Sequence, residues 1–235
     1  MKPVLIIRHA TIEGPGFLED FLYEHNIPCK LIKIDQGDKL PSNASDYSGI
    51  AMMGGPMSVN DDLPWISDEI SLIRDAAKLD IPLIGHCLGG QMISKAFGAR
   101  VSGNKVKEIG WRVVSVSENE EAKKWFGNHS SFLGFHWHGE TFDLPLGATH
   151  ILSSQYCQNQ AWAMGKHLAM QCHIEMTKEM VISWCDHGEN ELKESKSSPA
   201  VEQANQIKKS LKAAIPDLNQ VASQVYSQWI KGLVR

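Results

Sequence analysis

Along the first 175 residues, short runs rich in β-branched residues or continuous in apolar character alternate with segments of helical periodicity, and this alternation restricts the fold more than any other feature. The runs lie at residues 4–7, 29–34, 49–53 and 81–85. Most are continuous in apolar character rather than alternating. That pattern suits strands covered on both faces, as in a parallel sheet. Between them, Phe17, Phe21 and Leu22 share one helical face after the breaker Gly14-Pro15-Gly16. Ile66, Ile70, Ile73 and Ala77 form a second stripe behind Pro64, and residues 91–97 form a short helix closed by Gly98. Strand–helix–strand alternation with short links predicts an α/β fold: an open, mostly parallel, doubly wound sheet with flanking helices.

Beyond residue 101 the pattern changes. Residues 113–117 and 132–137 read as strands with no crossover helix between them, which predicts a small antiparallel extension. Residues 155–164 and 167–172 read as a hairpin-like pair turning at Gly165-Lys166. The end of the chain reads as helical. Ser198-Pro199 supplies an N-cap and a first-turn proline, and Pro216-Asp217 restarts a second helix carrying Leu218, Val221, Val225 and Trp229. The polar stretch 188–198 reads as a linker too short to divide domains. The expectation is one domain over residues 1–235, with a core at about 2–177 and a helical tail at about 178–235.

Composition removes several function classes. A formal charge of −4 over 235 residues gives no electrostatic footprint for nucleic acid or anionic lipid. No apolar run approaches the roughly 20 residues of a membrane span. The start reads as a buried strand rather than a signal peptide, so the expected location is the cytoplasm. Five cysteines, at 29, 87, 157, 172 and 185, include no C-x2-C pair and are expected as reduced thiols, mostly core.

One thiol differs. In Gly85-His86-Cys87-Leu88-Gly89-Gly90 an apolar strand runs straight into a helix start. A residue at such a turn stands at the carboxyl end of the sheet, where open α/β sheets place ligands. Flanking glycines permit the sharp backbone of a nucleophile elbow, and the helix N-terminus favours thiolate. A nucleophilic cysteine wants a base, and the base an orienting group. His173 and Glu175, two apart in extended chain, point to the same side. Gly54-Gly55 after another buried strand can turn amides outward as oxyanion donors, with the Leu88 N–H just past the thiol.

Gly-x-Cys-x-Gly-x-Gln, the upstream Gly-Gly-Pro and the downstream Gln-x-His-x-Glu together resemble the class I (triad) glutamine amidotransferases. The pattern is similar to stand-alone proteins like the glutaminase domain of GMP synthase, and the resemblance runs from about Lys2 to Thr177. It implies a flavodoxin-like sheet with Cys87 as nucleophile, His173 as base and acid, and Glu175 as its partner. It further implies Gly55 and Leu88 as the oxyanion hole, and Gly54, Gln91 and His138 as substrate contacts. The implied substrate is glutamine or a related γ-glutamyl compound, hydrolysed through a cysteinyl thioester without a cofactor. The implied partner is a separate ammonia-accepting synthase subunit. Ile174 stands where the family usually has proline, Cys172 where it has an aromatic residue, and Glu140 where aspartate is frequent.

Two alternative functions share this fold: a partner-independent γ-glutamyl peptide hydrolase, and a silent binding module. His136-x-His138 with Glu140 nearby has the residue types of a zinc cluster. It is expected instead to be part of a pocket border, with no metal. The charged run from Glu118 to Lys124 reads as a solvated helix start, and the apolar stripe after Pro216 as internal packing.

Overall fold

A computed structural model of the chain describes residues 1–234. Five strands form its parallel part: β1 (Val4–Arg8), β2 (Cys29–Lys33), β3 (Gly49–Met52), β4 (Leu83–His86) and, much later in the chain, β9 (His167–Met170). Their spatial order is β2-β1-β3-β4-β9, every neighbouring pair parallel. Helix α1 (Phe17–Glu24) connects β1 to β2, and α2 (Pro64–Lys78) connects β3 to β4. The chain passes from β2 to β3 with only a short 3-10 turn, and α3 (Leu88–Ala96) follows β4. In β1, Val4 and Ile6 enter one core while Leu5 and Ile7 enter a second on the opposite face. Alternate side chains pointing into two separate cores explain why the run is continuously apolar.

The antiparallel part is larger than expected. β5 (Val101–Val116) is a single 16-residue strand that pairs with β6 (Ser131–Phe142) and, at its far end, with β7 (Thr149–Ser154). Helix α4 (Glu120–Phe126) lies between β5 and β6 in the chain, and Asn119 caps it by accepting the Ala122 N–H at 2.8 Å. β8 (Ala161–Met164) joins β7 to β9, so the sheet continues without a break. The sheet is mixed and mostly parallel, with helices on both faces.

The last third departs from the sequence reading. Residues read as linker form α6 (Glu189–Glu194), directly after α5 (Lys178–His187). Ser198-Pro199 does not start a helix; it leads into a short strand, β10 (Ala200–Val201), parallel to β5. The region expected as a helical tail therefore adds a strand to the sheet. One helix, α7 (Ala204–Trp229), runs through Pro216 where two were expected. Its buried residues Ile207, Leu211, Ala214, Leu218, Val221 and Val225 keep one stripe on both sides of the proline. The exposed ring leaves the bond to the preceding turn open on the solvent side, where water can satisfy the freed carbonyl. No helix of the described residues is long and apolar enough to cross a membrane.

Candidate active site

Cys87 follows β4 and is the N-cap of α3, with φ +51 and ψ −108. A side-chain-bearing residue rarely holds positive φ, and such strain persists where the surroundings enforce it. Here they do: the Cys87 N–H donates to Met170 O of β9 at 2.8 Å, and its carbonyl accepts the Gln91 N–H at 2.9 Å. The turn is so tight that a Cβ on Gly85 would overlap the backbone of Gly89 and Gly90. Of the five cysteines, Cys29 is exposed on a strand, against expectation, and the others are buried. Burial pushes the thiols of Cys157 and Cys185 up to about 11 and that of Cys172 higher still. Only Cys87 lines the cavity beside it, a space of about 460 Å³.

His173 and Glu175 lie just past β9, beneath that thiol. A single antiparallel bridge holds them there, with the His173 N–H donating to Phe135 O at 2.9 Å. His173 Nδ1 is 2.6 Å from Glu175 Oε1, so Nδ1 carries the shared proton and Nε2 is left for a second partner. Nε2 has no hydrogen-bond partner among the described residues. Burial opposes charge on this ring, but Glu175 and the Cys87 side chain outweigh it and hold the His173 pKa well above its ordinary value. Burial likewise opposes charge on Glu175, and His86 and His173 hold its carboxyl below the usual range. Trp184 of α5 stands edge-on to the His173 ring, with centroids 4.9 Å apart. Thiol, imidazole and carboxylate are thus one buried group, opening outward through the sulfur.

The two expected amide donors are placed beside the thiol. Leu88 is the first residue of α3, and neither its N–H nor that of Gly55 donates to another backbone carbonyl among the described residues. Gly55 borders the cavity, and a Cβ there would sit 2.7 Å from Leu88 Cδ2. The loop bearing Gly55 is held by His9, whose Nδ1–H donates to Met53 O at 3.0 Å while Nε2 meets Glu69 at 2.9 Å. Both ring nitrogens face acceptors, which is the arrangement of an imidazolium.

Of the expected substrate contacts, Gln91 and His138 reach the cavity wall, whereas Gly54 lies behind it. Any side chain on Gly54 would collide with Glu13 and press on His173, so its smallness matters more than its contact. The Gln91 amide donates to Gln171 Oε1 at 3.1 Å, and Gln171 donates to Cys87 Sγ at 3.4 Å. His138 donates from Nδ1 to Glu140 O at 3.0 Å, and its Nε2 is 3.1 Å from Glu108 Oε2.

Glu108, His136 and His138 bring three ligand-type atoms within 4.8 Å of one another. The carboxylate is Glu108, on the neighbouring strand β5, rather than Glu140, which accepts a hydrogen bond from Ser58 at 3.0 Å. The Gln160 amide nitrogen stands among these atoms, 2.8 Å from Glu108 Oε2 and 3.4 Å from each imidazole. Burial drives His136 down to about 3, so its ring is neutral.

Sequence reading missed four residues at the site. His9 and Glu69 form its buried brace, Glu13 lines the cavity, and Glu191 of α6 joins Lys107 at the rim at 2.6 Å. For Glu69 a signal existed: it falls on the buried stripe of α2, between Ile66 and Ile70, where a charge needs a partner.

Comparison with known proteins agrees with this architecture. Residues 17–180 match the family described as glutamine amidotransferase class-I, and the chain belongs to that family. It is 29% identical over 196 residues to the glutamine amidotransferase-like protein YfeJ of Salmonella typhimurium, covering 80% of this chain and 82% of that one. It is 26% identical to gamma-glutamyl peptidase 3 of Arabidopsis thaliana, over 66% of each. A crystal structure of a glutamine amido transferase from Methylobacillus flagellatus superposes with a TM-score of 0.97 at 44% identity, covering 100% of this chain and 96% of that one.

Proposed function

We propose that this protein is an enzyme that hydrolyses the side-chain amide of glutamine or a related γ-glutamyl compound through a thioester on Cys87. The observation that carries this reading is the 2.6 Å His173–Glu175 contact buried beneath a thiol held at positive φ on a helix N-terminus. The thiolate attacks the side-chain carbonyl carbon, and the oxygen that gains charge meets the N–H groups of Gly55 and Leu88. As the tetrahedral species collapses, the C–N bond breaks and the His173 imidazolium gives its proton to the departing nitrogen. Ammonia or an amine leaves. His173 then takes a proton from water as that water attacks the thioester, and collapse frees the carboxylate and the thiol. Glu175 stays ionised throughout, fixing the ring and stabilising its charge. Removing one oxyanion donor in such sites slows turnover by roughly 10²–10³.

Cys87→Ser or Cys87→Ala should abolish ammonia release and covalent labelling by 6-diazo-5-oxo-L-norleucine, a glutamine-like electrophile. Labelling that persists in both variants overturns the assignment.

Two uses of released nitrogen compete. Family resemblance supports delivery of ammonia to a separate synthase subunit. The likeness to gamma-glutamyl peptidase 3 favours direct hydrolysis of γ-glutamyl peptides without a partner. Assaying glutamine against γ-glutamyl dipeptides on the isolated protein separates them, and turnover of either disposes of a silent binding module.

A further inference from the structure

The loop after β1 brings one carboxylate to the cavity that the mechanism above does not use. Glu13 closes a turn through its N–H to Ala10 O at 3.0 Å, and its side chain forms part of the same wall as Cys87, Gly55 and Gln91. Its Oε2 and His173 Cε1 crowd the same small volume, the space left by the missing side chain of Gly54. Glu13 is thus held beside the reacting groups.

That carboxylate has no partner of its own. No hydrogen bond or ion pair among the described residues reaches it; the charges it senses are those of His173, Glu175, His9 and Glu191. Each neighbouring cation is already committed, His173 to Glu175, His9 to Glu69 and Lys107 to Glu191. Burial pushes Glu13 up to about 7, with His173 pulling it down and Glu175 pushing it up. A half-buried carboxylate in this position is complementary to a cation brought by the ligand.

The proposed substrate carries such a cation. In glutamine or a γ-glutamyl compound three carbon atoms separate the reacting carbonyl from the α-nitrogen, so the amino group falls within the same small cavity as the reacting carbon. We propose that Glu13 is a specificity-determining residue that receives the substrate's α-ammonium group, so the site selects amides borne on an amino acid with a free amino group. This rests on the amide-hydrolase reading and deepens it. It holds for glutamine and for γ-glutamyl peptides alike, since both keep that nitrogen free.

The test compares alkylation of Cys87 by 6-diazo-5-oxo-L-norleucine and by the same electrophile lacking the amino group, 6-diazo-5-oxohexanoate. Labelling requires only the nucleophile and its binding site, not turnover. The wild type should prefer the amino-bearing reagent, and Glu13→Gln should shrink that preference roughly 10- to 100-fold, the range of a hydrogen bond between charged groups. A preference that Glu13→Gln leaves unchanged overturns the assignment, as does equal slowing with both reagents, which would mark Glu13 as an acid–base group. Labelling that ignores the amino group in the wild type also overturns it, with the hydrolase reading intact. Failure of both reagents to label wild-type Cys87 removes the hydrolase reading and this assignment together.

Discussion

Tyr226, near the end of α7, places its hydroxyl 3.1 Å from His86 Nε2, and the same nitrogen lies 3.8 Å from Glu175 Oε2. All three groups are buried. Burial, helped by Glu175, holds the Tyr226 hydroxyl protonated far above its ordinary range. Burial also holds His86 below its usual value, against the pull of Glu175. A neutral hydroxyl supplied by the last helix of the chain therefore stands behind His86, which in turn backs the carboxylate that orients His173. Tyr226→Phe removes the hydroxyl without opening a cavity and leaves His86 Nε2 without this partner. The expected loss is about 1–3 kcal/mol of stability, a fall of roughly 2–4 °C in melting temperature for each kcal/mol. Turnover should drop with KM little changed, because Tyr226 does not border the cavity. A variant with wild-type melting temperature and kcat would show that the contact carries no energy.

Much of this site was legible in the sequence, for physical reasons that can be named. The elbow was readable because Gly85 and Gly89 flank a thiol exactly where apolar strand gives way to helix. His173 and Glu175 were readable from their spacing, although strand β9 ends at Met170 and the bridge to Phe135 does the holding. Glu13 and His9 were not readable, since a charged or polar residue after a first strand looks like any loop. Their positions beside the cavity arise only when β1, β3 and α2 pack together. Residues 188–198 misled by composition: their charges are the exposed side of α6, which turns Glu191 to the cavity rim.

Pro216 misled for a different reason, and it yields a second prediction. Proline inside a helix forfeits one hydrogen bond and crowds the preceding turn, a penalty of about 3 kcal/mol relative to alanine. In α7 the packing of Leu211 and Ala214 before it and of Leu218 and Val221 after it outweighs that penalty. Pro216→Ala should restore the bond. Part of the gain, about 0.4–1 kcal/mol, is returned because the unfolded chain becomes freer. Net stabilisation of about 2 kcal/mol is expected, measured as a higher urea midpoint at unchanged m-value. A lower midpoint would mean that the proline is matched to a local bend.

The brace formed by His9 and Glu69 predicts a pH dependence whose sign can be worked out. Burial opposes charge on His9, but Glu69, with the carbonyls of Gly54 and Met53, raises its pKa above the ordinary 6.5. A ring that binds its proton more tightly when folded adds stability that is complete below about 6.5 and disappears as pH rises through the folded value. His173 carries the same sign. Glu175 carries the opposite one: its lowered pKa adds stability above about 4.5 that is lost as pH falls through the folded value. The share of the urea midpoint due to these three groups should therefore decline on both sides of about pH 4.5 to 6.5. Glu13, raised to about 7, and His136, lowered to about 3, slope in opposite directions across that interval, so the His9 share is read from a variant. Glu69→Gln leaves His9 buried without its counter-charge, and breaking such a pair costs about 3–5 kcal/mol while the ring stays charged. At higher pH His9 can discharge, so the gap between wild type and Glu69→Gln should narrow from pH 6 to pH 9. Because His9 holds Met53 and Gly54, and through them the Gly55 amide, turnover should fall in the same variant. A stability gap that stays constant across that range would mean that His9 is not charged in the folded protein.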